Sequence, residues 1–147
     1  EGKARKKEPR DLEAEVPTKI YLTSEGKPGI PAGAFRKGMT RVANFLEMTQ
    51  TDTKRLVQVL GDIIPIKFSK QDIHKTWGRT SGIGRTPIEI WRPQFHNWSC
   101  KLKIKFNADL ISAEQVVNLL KLAGLHQGVG DWRPENGGSF GMYDIKI

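Results

Sequence analysis

Strict alternation in Lys101-Leu-Lys-Ile-Lys-Phe106 constrains the fold more than any other feature of the 147-residue chain. A period of two places Leu102, Ile104 and Phe106 on one face and Lys101, Lys103 and Lys105 on the other, the pattern of a half-buried β-strand. Trp98 and Cys100 continue the apolar face, which makes Cys100 a small core residue. Three successive lysines are costly against another protein layer, so their face is expected to meet solvent or a polyanion. Pro87-Ile-Glu-Ile-Trp91 alternates as well, with Ile88 and Ile90 inward and Glu89 and Trp91 outward. The link Arg92-Pro-Gln-Phe-His-Asn97 is short enough for a hairpin, so these two strands are expected to pair antiparallel. Next, Ser112-Ala-Glu-Gln115 is a capping-box pattern, and Ala113, Val116, Val117, Leu120 and Ala123 form a helical stripe that Gly124 should terminate.

Upstream, Lys19-Ile-Tyr-Leu-Thr23 reads as a short strand and Ser24–Gly29 as turn chemistry. Pro31 suits a first helical turn, and Phe35, Met39, Val42 and Leu46 follow at helical spacing, with Arg36, Lys37 and Arg41 off that stripe. Thr51 or Asp52 is expected to cap a second helix burying Leu56, Val59 and Leu60 and ending at Gly61. Ile63–Phe68 reads as a strand, placed at an edge or bulge by Pro65. Residues 69–86 show no apolar period. Gly78, Gly82 and Gly84 alternate there with Lys70, His74, Lys75, Trp77, Arg79 and Arg85, which reads as an inserted loop, either functional or disordered. Residues 127–141 are glycine-rich, and Phe140–Ile147 is expected as a last strand with Tyr143, Ile145 and Ile147 on one side.

The net charge of +8 is concentrated. Residues 67–105 hold nine bases against Asp72 and Glu89, residues 1–10 hold five against two acids, and residues 11–66 balance. A localised excess attracts polyanions, chiefly nucleic acid; the plain alternative is a solubilising surface. Residues 1–17 read as a basic, flexible tail, and 18–147 as one domain carrying the inserted loop 69–86. The single cysteine excludes an internal disulfide and a cysteine zinc site and favours a reducing, cytoplasmic compartment. No apolar run approaches the roughly 20 residues of a membrane span, and no signal peptide is visible.

Catalytic patterns are weak. His74, His96 and His126 lack metal-ligand spacing, so no metal or other cofactor is expected. Gly82-Ile-Gly84-Arg85-Thr86 lacks the Gly-Lys-Ser/Thr ending of a phosphate loop, and Gly128-Val-Gly130 lies after a helix, the wrong order for a dinucleotide fingerprint. Glycine-rich backbone beside Arg133 and Trp132 has another use: it can approach a phosphate closely while the indole stacks on a base. The alternative places Trp132 in the core, with the glycines only shaping turns.

In its order of elements the chain ends in a β-hairpin, helix, β unit. With an additional strand before residue 1 it would approximate the βαββαβ ferredoxin-like plan, an antiparallel sheet with helices on one face. Two segments carry a family resemblance. Glu25-Gly-Lys-Pro-Gly-Ile-Pro-Ala-Gly-Ala-Phe-Arg-Lys-Gly38 resembles the G-x-P-x-I-P-G-S-S-x-K/R-G lead-in to the first helix of the RAMP superfamily, departing from it at Ala32 and Ala34. That superfamily comprises the ferredoxin-like RNA-binding backbone subunits of CRISPR effector complexes. Gly128-Val-Gly-Asp-Trp-Arg-Pro-Glu-Asn-Gly-Gly-Ser-Phe-Gly141 resembles its C-terminal glycine-rich loop. Arg92-Pro-Gln-Phe and Ile111-Ser-Ala-Glu-Gln115 also look similar to short phage and prophage proteins.

The resemblance implies an α+β, RRM-like domain that binds single-stranded RNA or DNA without catalysis. It also implies assembly along the strand, as a homo-oligomer or filament or with other effector subunits. Carried over, Arg36 and Lys37 would contact the nucleic-acid backbone, and Gly128, Gly130, Arg133 and Gly138 would form the glycine loop. The residues themselves nominate Arg41, Lys70, Lys75, Arg79, Arg85 and Arg92 for phosphates, with Lys101, Lys103 and Lys105 adding attraction, and Trp77, Trp91 and Trp132 for stacking. Two alternatives follow. One is a RAMP-type endoribonuclease using His74 or Asp72, the only acid in 69–86; the other is a phage anti-defence or protein-interaction module that binds small nucleotides.

Overall fold

Ser112 begins the longest helix as its side chain dictates. Its hydroxyl accepts from the Gln115 amide at 3.1 Å, while Gln115 Oε1 accepts from the Ser112 amide at 2.9 Å, a reciprocal capping box. Ser112→Ala is expected to cost about 1 kcal/mol, measured as a lowered midpoint of thermal or urea unfolding. The computed structural model describes residues 11–79, 84–130 and 133–146. In chain order the elements are α1 (Leu12–Glu15), a 3-10 turn (Val16–Lys19), β1 (Tyr21–Leu22), β2 (Pro28–Pro31), α2 (Ala32–Val42) and a 3-10 turn (Ala43–Leu46). Then follow α3 (Gln50–Leu56), β3 (Val57–Val59), β4 (Ile63–Pro65), β5 (Lys70–Arg79), β6 (Pro87–His96), β7 (Ile104–Phe106), α4 (Ala113–His126) and a 3-10 turn (Pro134–Asn136).

The chain divides into two compact units. The first comprises the described part of Glu1–Ile20 with Lys67–Ser99; the second comprises Tyr21–Ile66 with Cys100–Ile147. In the second unit, Met39, Val42, Ala43, Val57, Ile111, Val116, Leu119, Leu120 and Ala123 form the buried core. Most come from the apolar stripes of α2 and α4, joined by Ala43 of the 3-10 turn, Val57 of β3 and Ile111 just before α4. Phe35, expected on the α2 stripe, is buried edge-on against Tyr143 at 5.5 Å between ring centres. Leu102, Ile104 and Phe106 pack against the core while Lys101, Lys103 and Lys105 are exposed, as the alternation requires.

The fold class is mixed α+β with antiparallel strands, and among the described residues the strands form no single ferredoxin-like sheet. They make three groups: β1-β2-β4, β3-β7 and β5-β6. Several expectations are corrected here. The alternating segment does not pair with Pro87–Trp91; Ile104–Phe106 pairs with Val59–Val57 instead. Residues 69–86 are not simply a loop, because Lys70–Arg79 pairs along its whole length with His96–Pro87 in a two-stranded ribbon. The link 92–97, taken for a turn, is mostly strand. The ribbon is legible afterwards in alternate Ile73, Lys75, Trp77 and Arg79, a period-two pattern with too few apolar members to stand out.

Smaller differences have local causes. Thr49, not Thr51 or Asp52, caps α3, accepting from the Asp52 amide at 3.1 Å. That helix stops at Leu56 because the β-branched Val57 and Val59 join β7, and Leu60 is left exposed. Pro65 closes β4 at the rim of its sheet, the edge position its missing N–H favours. The strand expected at Lys19–Thr23 shortens to two exposed residues. Phe140–Lys146 forms no ladder among the described residues, although Tyr143 and Ile145 pack on the core. Gly124 does not end α4, which continues to His126; a Cβ there would lie 2.0 Å from the Tyr143 carbonyl oxygen, so glycine serves close approach. Cys100 is half-buried and burial pushes its thiol pKa up, which suits a packing residue. Residues 1–10, most of the expected tail, lie outside the described residues, as do Gly82, Trp132 and Ile147.

Candidate functional site

A cavity of about 250 Å³ opens in the second unit where the start of α2 meets the glycine-rich segment. Gly33, Ala34, Lys37, Gly38 and Arg41 line it from α2. Gln127, Gly128, Val129, Gly130, Arg133 and Glu135 line it from the end of α4 and the chain that follows. Lys37 and Arg41 lie four residues apart and so share one helix face.

Backbone geometry explains the glycines. Gly128 and Gly130 have φ of +65° and +79°, the left-handed region. A Cβ on Gly128 would also lie 2.8 Å from Pro134 Cδ. The Val129 amide donates to the Gly141 carbonyl at 3.0 Å, folding the two ends of the glycine segment together. On the opposite wall, the Ala32 amide donates to the Asp62 carbonyl at 2.7 Å, and no side chain caps α2. First-turn amides lack intrahelical acceptors and carry the positive end of the helix dipole. Small Gly33 and Ala34 keep that turn uncovered by side chains.

Three cations therefore surround this space, with one carboxylate among them. Arg133 Nε donates to Glu135 Oε2 at 3.0 Å and its Nη1 to the Gly130 carbonyl at 3.0 Å. Arg41 is ion-paired to the same carboxylate. Lys37 is exposed and makes no ion pair with another described residue.

The other nominated residues fall elsewhere. Arg36 does not line the cavity: its Nη2 donates to the Lys54 carbonyl, joining α2 to the end of α3. That bond gives Arg36 a structural role as well as the phosphate contact expected of it. Gly138 donates its amide to the Arg133 carbonyl at 3.2 Å and supports the loop from behind. In the first unit, one ribbon face carries Lys75, Trp77 and Arg79 beside Glu89 and Trp91. Trp77 is 70% exposed, whereas Trp91 is covered: Lys75 Nζ sits 4.0 Å from its ring centre and its carbonyl accepts from Lys19 Nζ at 2.7 Å. Lys75 thus makes a cation–π contact with the ring of Trp91, which is half-buried. Arg79 donates to the Arg85 carbonyl at 3.4 Å, and Arg85 is exposed with φ +33°.

The opposite ribbon face carries Lys70, Asp72, His74, Arg92 and His96. Asp72 Oδ2 lies 3.6 Å from Lys70 Nζ and 3.8 Å from His96 Nε2. The Ile73 amide, then Lys70, hold its carboxyl below the usual range. Sequence reasoning missed Glu135, whose second partner Arg41 lies far away in the chain, and gave no role to His96, whose partner Asp72 is brought to it by the ribbon. Among the described residues no three His, Cys, Asp or Glu side chains gather as a metal centre would require, and no helix is long and apolar enough to cross a membrane.

In comparisons with known proteins, no family model and no curated protein sequence matches the chain.

Proposed function

We propose that this chain is a non-enzymatic binder of single-stranded RNA or DNA, related to the RAMP superfamily, and that it assembles along the strand. The observation that carries the reading is the cavity that gathers Lys37, Arg41 and Arg133 with Gly128, Gly130 and the first turn of α2. Cations, left-handed glycine backbone and a helix start are the three devices by which proteins hold a phosphate. The exposed lysines 101, 103 and 105 add a field around the second unit. On the ribbon, exposed Trp77 suits base stacking, worth about 1–3 kcal/mol per base, with Lys70, Lys75, Arg79, Arg85 and Arg92 supplying charge.

Binding should depend strongly on salt. Anisotropy of a fluorescent oligouridylate or oligothymidylate across a potassium chloride series gives the slope directly. Three phosphate contacts correspond to a slope of about −2 in log affinity against log salt, or about a hundredfold loss per tenfold rise. A flat dependence removes the reading. Asp72 beside His96 and Lys70 favours the second reading, an endoribonuclease; the same RNA mixtures run on a denaturing gel would then show fragments that disappear in Asp72→Asn.

A further inference from the structure

The cavity already contains an anion of its own. The Glu135 carboxylate bonds Arg133 and is paired with Arg41, so two of the three surrounding cations are engaged from within. We propose that Glu135 is a tethered stand-in for a phosphate, and that it makes the site accept a phosphodiester chain while rejecting free phosphate and mononucleotides. This inference rests on the nucleic-acid reading above.

Tethering supplies the physical reason. Glu135 lies two residues from Arg133, in a short turn that starts at Pro134 and closes at Gly137, whose φ is +83°. So short a connection holds the carboxylate at an effective concentration of millimolar or more beside the arginines. Its side chain is only 20% exposed and that of Arg133 28%, so solvent screens the pair incompletely. A lone phosphate meets this competitor with one weak contact and loses. A strand anchored at Lys37 and through neighbouring phosphates presents its next phosphate at a comparable effective concentration, and can displace the carboxylate. Displacement leaves three cations facing the strand with Glu135 turned away. Lys37, which has no ion pair with another described residue, is where the strand first attaches.

Glu135→Gln tests this by keeping the side chain's size and an oxygen acceptor for Arg133 while removing the charge. Inorganic phosphate and adenosine monophosphate are titrated calorimetrically into both proteins, and a fluorescent oligouridylate is followed by anisotropy. The parent protein should bind the oligonucleotide and show no heat with millimolar phosphate. E135Q should bind the oligonucleotide about tenfold more tightly and acquire millimolar phosphate binding. Glu135→Asp, which keeps the charge but shortens its reach, should fall between the two and serves if E135Q unfolds early. Oligonucleotide binding by the parent with no gain in either variant overturns the stand-in role and leaves the nucleic-acid reading intact. Phosphate binding gained by E135Q, with no oligonucleotide bound by any of the proteins, supports the stand-in role and overturns the nucleic-acid reading.

Discussion

Lys37→Glu is expected to weaken oligonucleotide binding about a hundredfold at low salt and to reduce the magnitude of the salt slope by about 0.7. Lys37 lines the cavity, is exposed and has no ion pair with another described residue, so its removal disturbs the fold least. A cation and a phosphate about 4 Å apart attract by about 1 kcal/mol in water and about 4 kcal/mol where the surroundings are less polar. Losing that attraction and adding a repulsion of similar size gives the hundredfold. Lys121→Glu, on the exposed side of α4 and outside the cavity lining, makes the same change in net charge and should cost far less. Equal losses in the two variants would mean that overall charge, not this cavity, attracts the strand. Anisotropy titrations at two salt concentrations, with thermal melts of all three proteins, decide the matter.

Gly124→Ala should cost about 3 kcal/mol of stability, lowering the melting midpoint by about 10 °C for a chain of this size. The added Cβ would sit 2.0 Å from the Tyr143 carbonyl oxygen and 2.9 Å from its carbon, backbone atoms that no side-chain rotation can move. Relief requires the C-terminal segment to lift from α4, breaking the bond from the Tyr143 amide to the Gly124 carbonyl at 3.1 Å. It would also loosen the buried Tyr143 ring, whose pKa desolvation raises, with Cys100 adding to the shift. Gly33→Ala is the matched control. Nothing lies within 4 Å of its added Cβ, so alanine in the first turn of α2 should leave the midpoint unchanged or raise it slightly. A Gly124→Ala protein that melts with the parent would remove the close-approach account of this glycine.

Local rules were sufficient wherever a residue's partners lie within a few positions of it. The capping box at Ser112 and Gln115, the α2 stripe of Phe35, Met39 and Val42, and the lysine face at 101, 103 and 105 follow from spacing alone. Pairing choices did not follow, because Leu56, Val59 and Leu60 also fit a helical stripe, which hides Val57–Val59 as the strand that pairs with β7. Val57–Val59 offered a buried β-branched edge, while Pro87–His96 found ten partners in Lys70–Arg79. The polar ribbon hid its strand period behind glycine and lysine, which are depleted in strands.

The site divides along the same line. Sequence alone nominated the groups that could serve a polyanion: a cationic excess and a glycine segment whose backbone can approach a phosphate. Only the tertiary structure decided which of them meet. It brought Lys37 and Arg41 to Gly128, Gly130 and Arg133, and tied Arg36 to the Lys54 carbonyl. It also covered Trp91 with Lys75 and set Glu135 among the arginines. The reason is that charge and conformational freedom belong to single residues, whereas an anion site is a property of distances, and those are fixed by how α2 packs against α4.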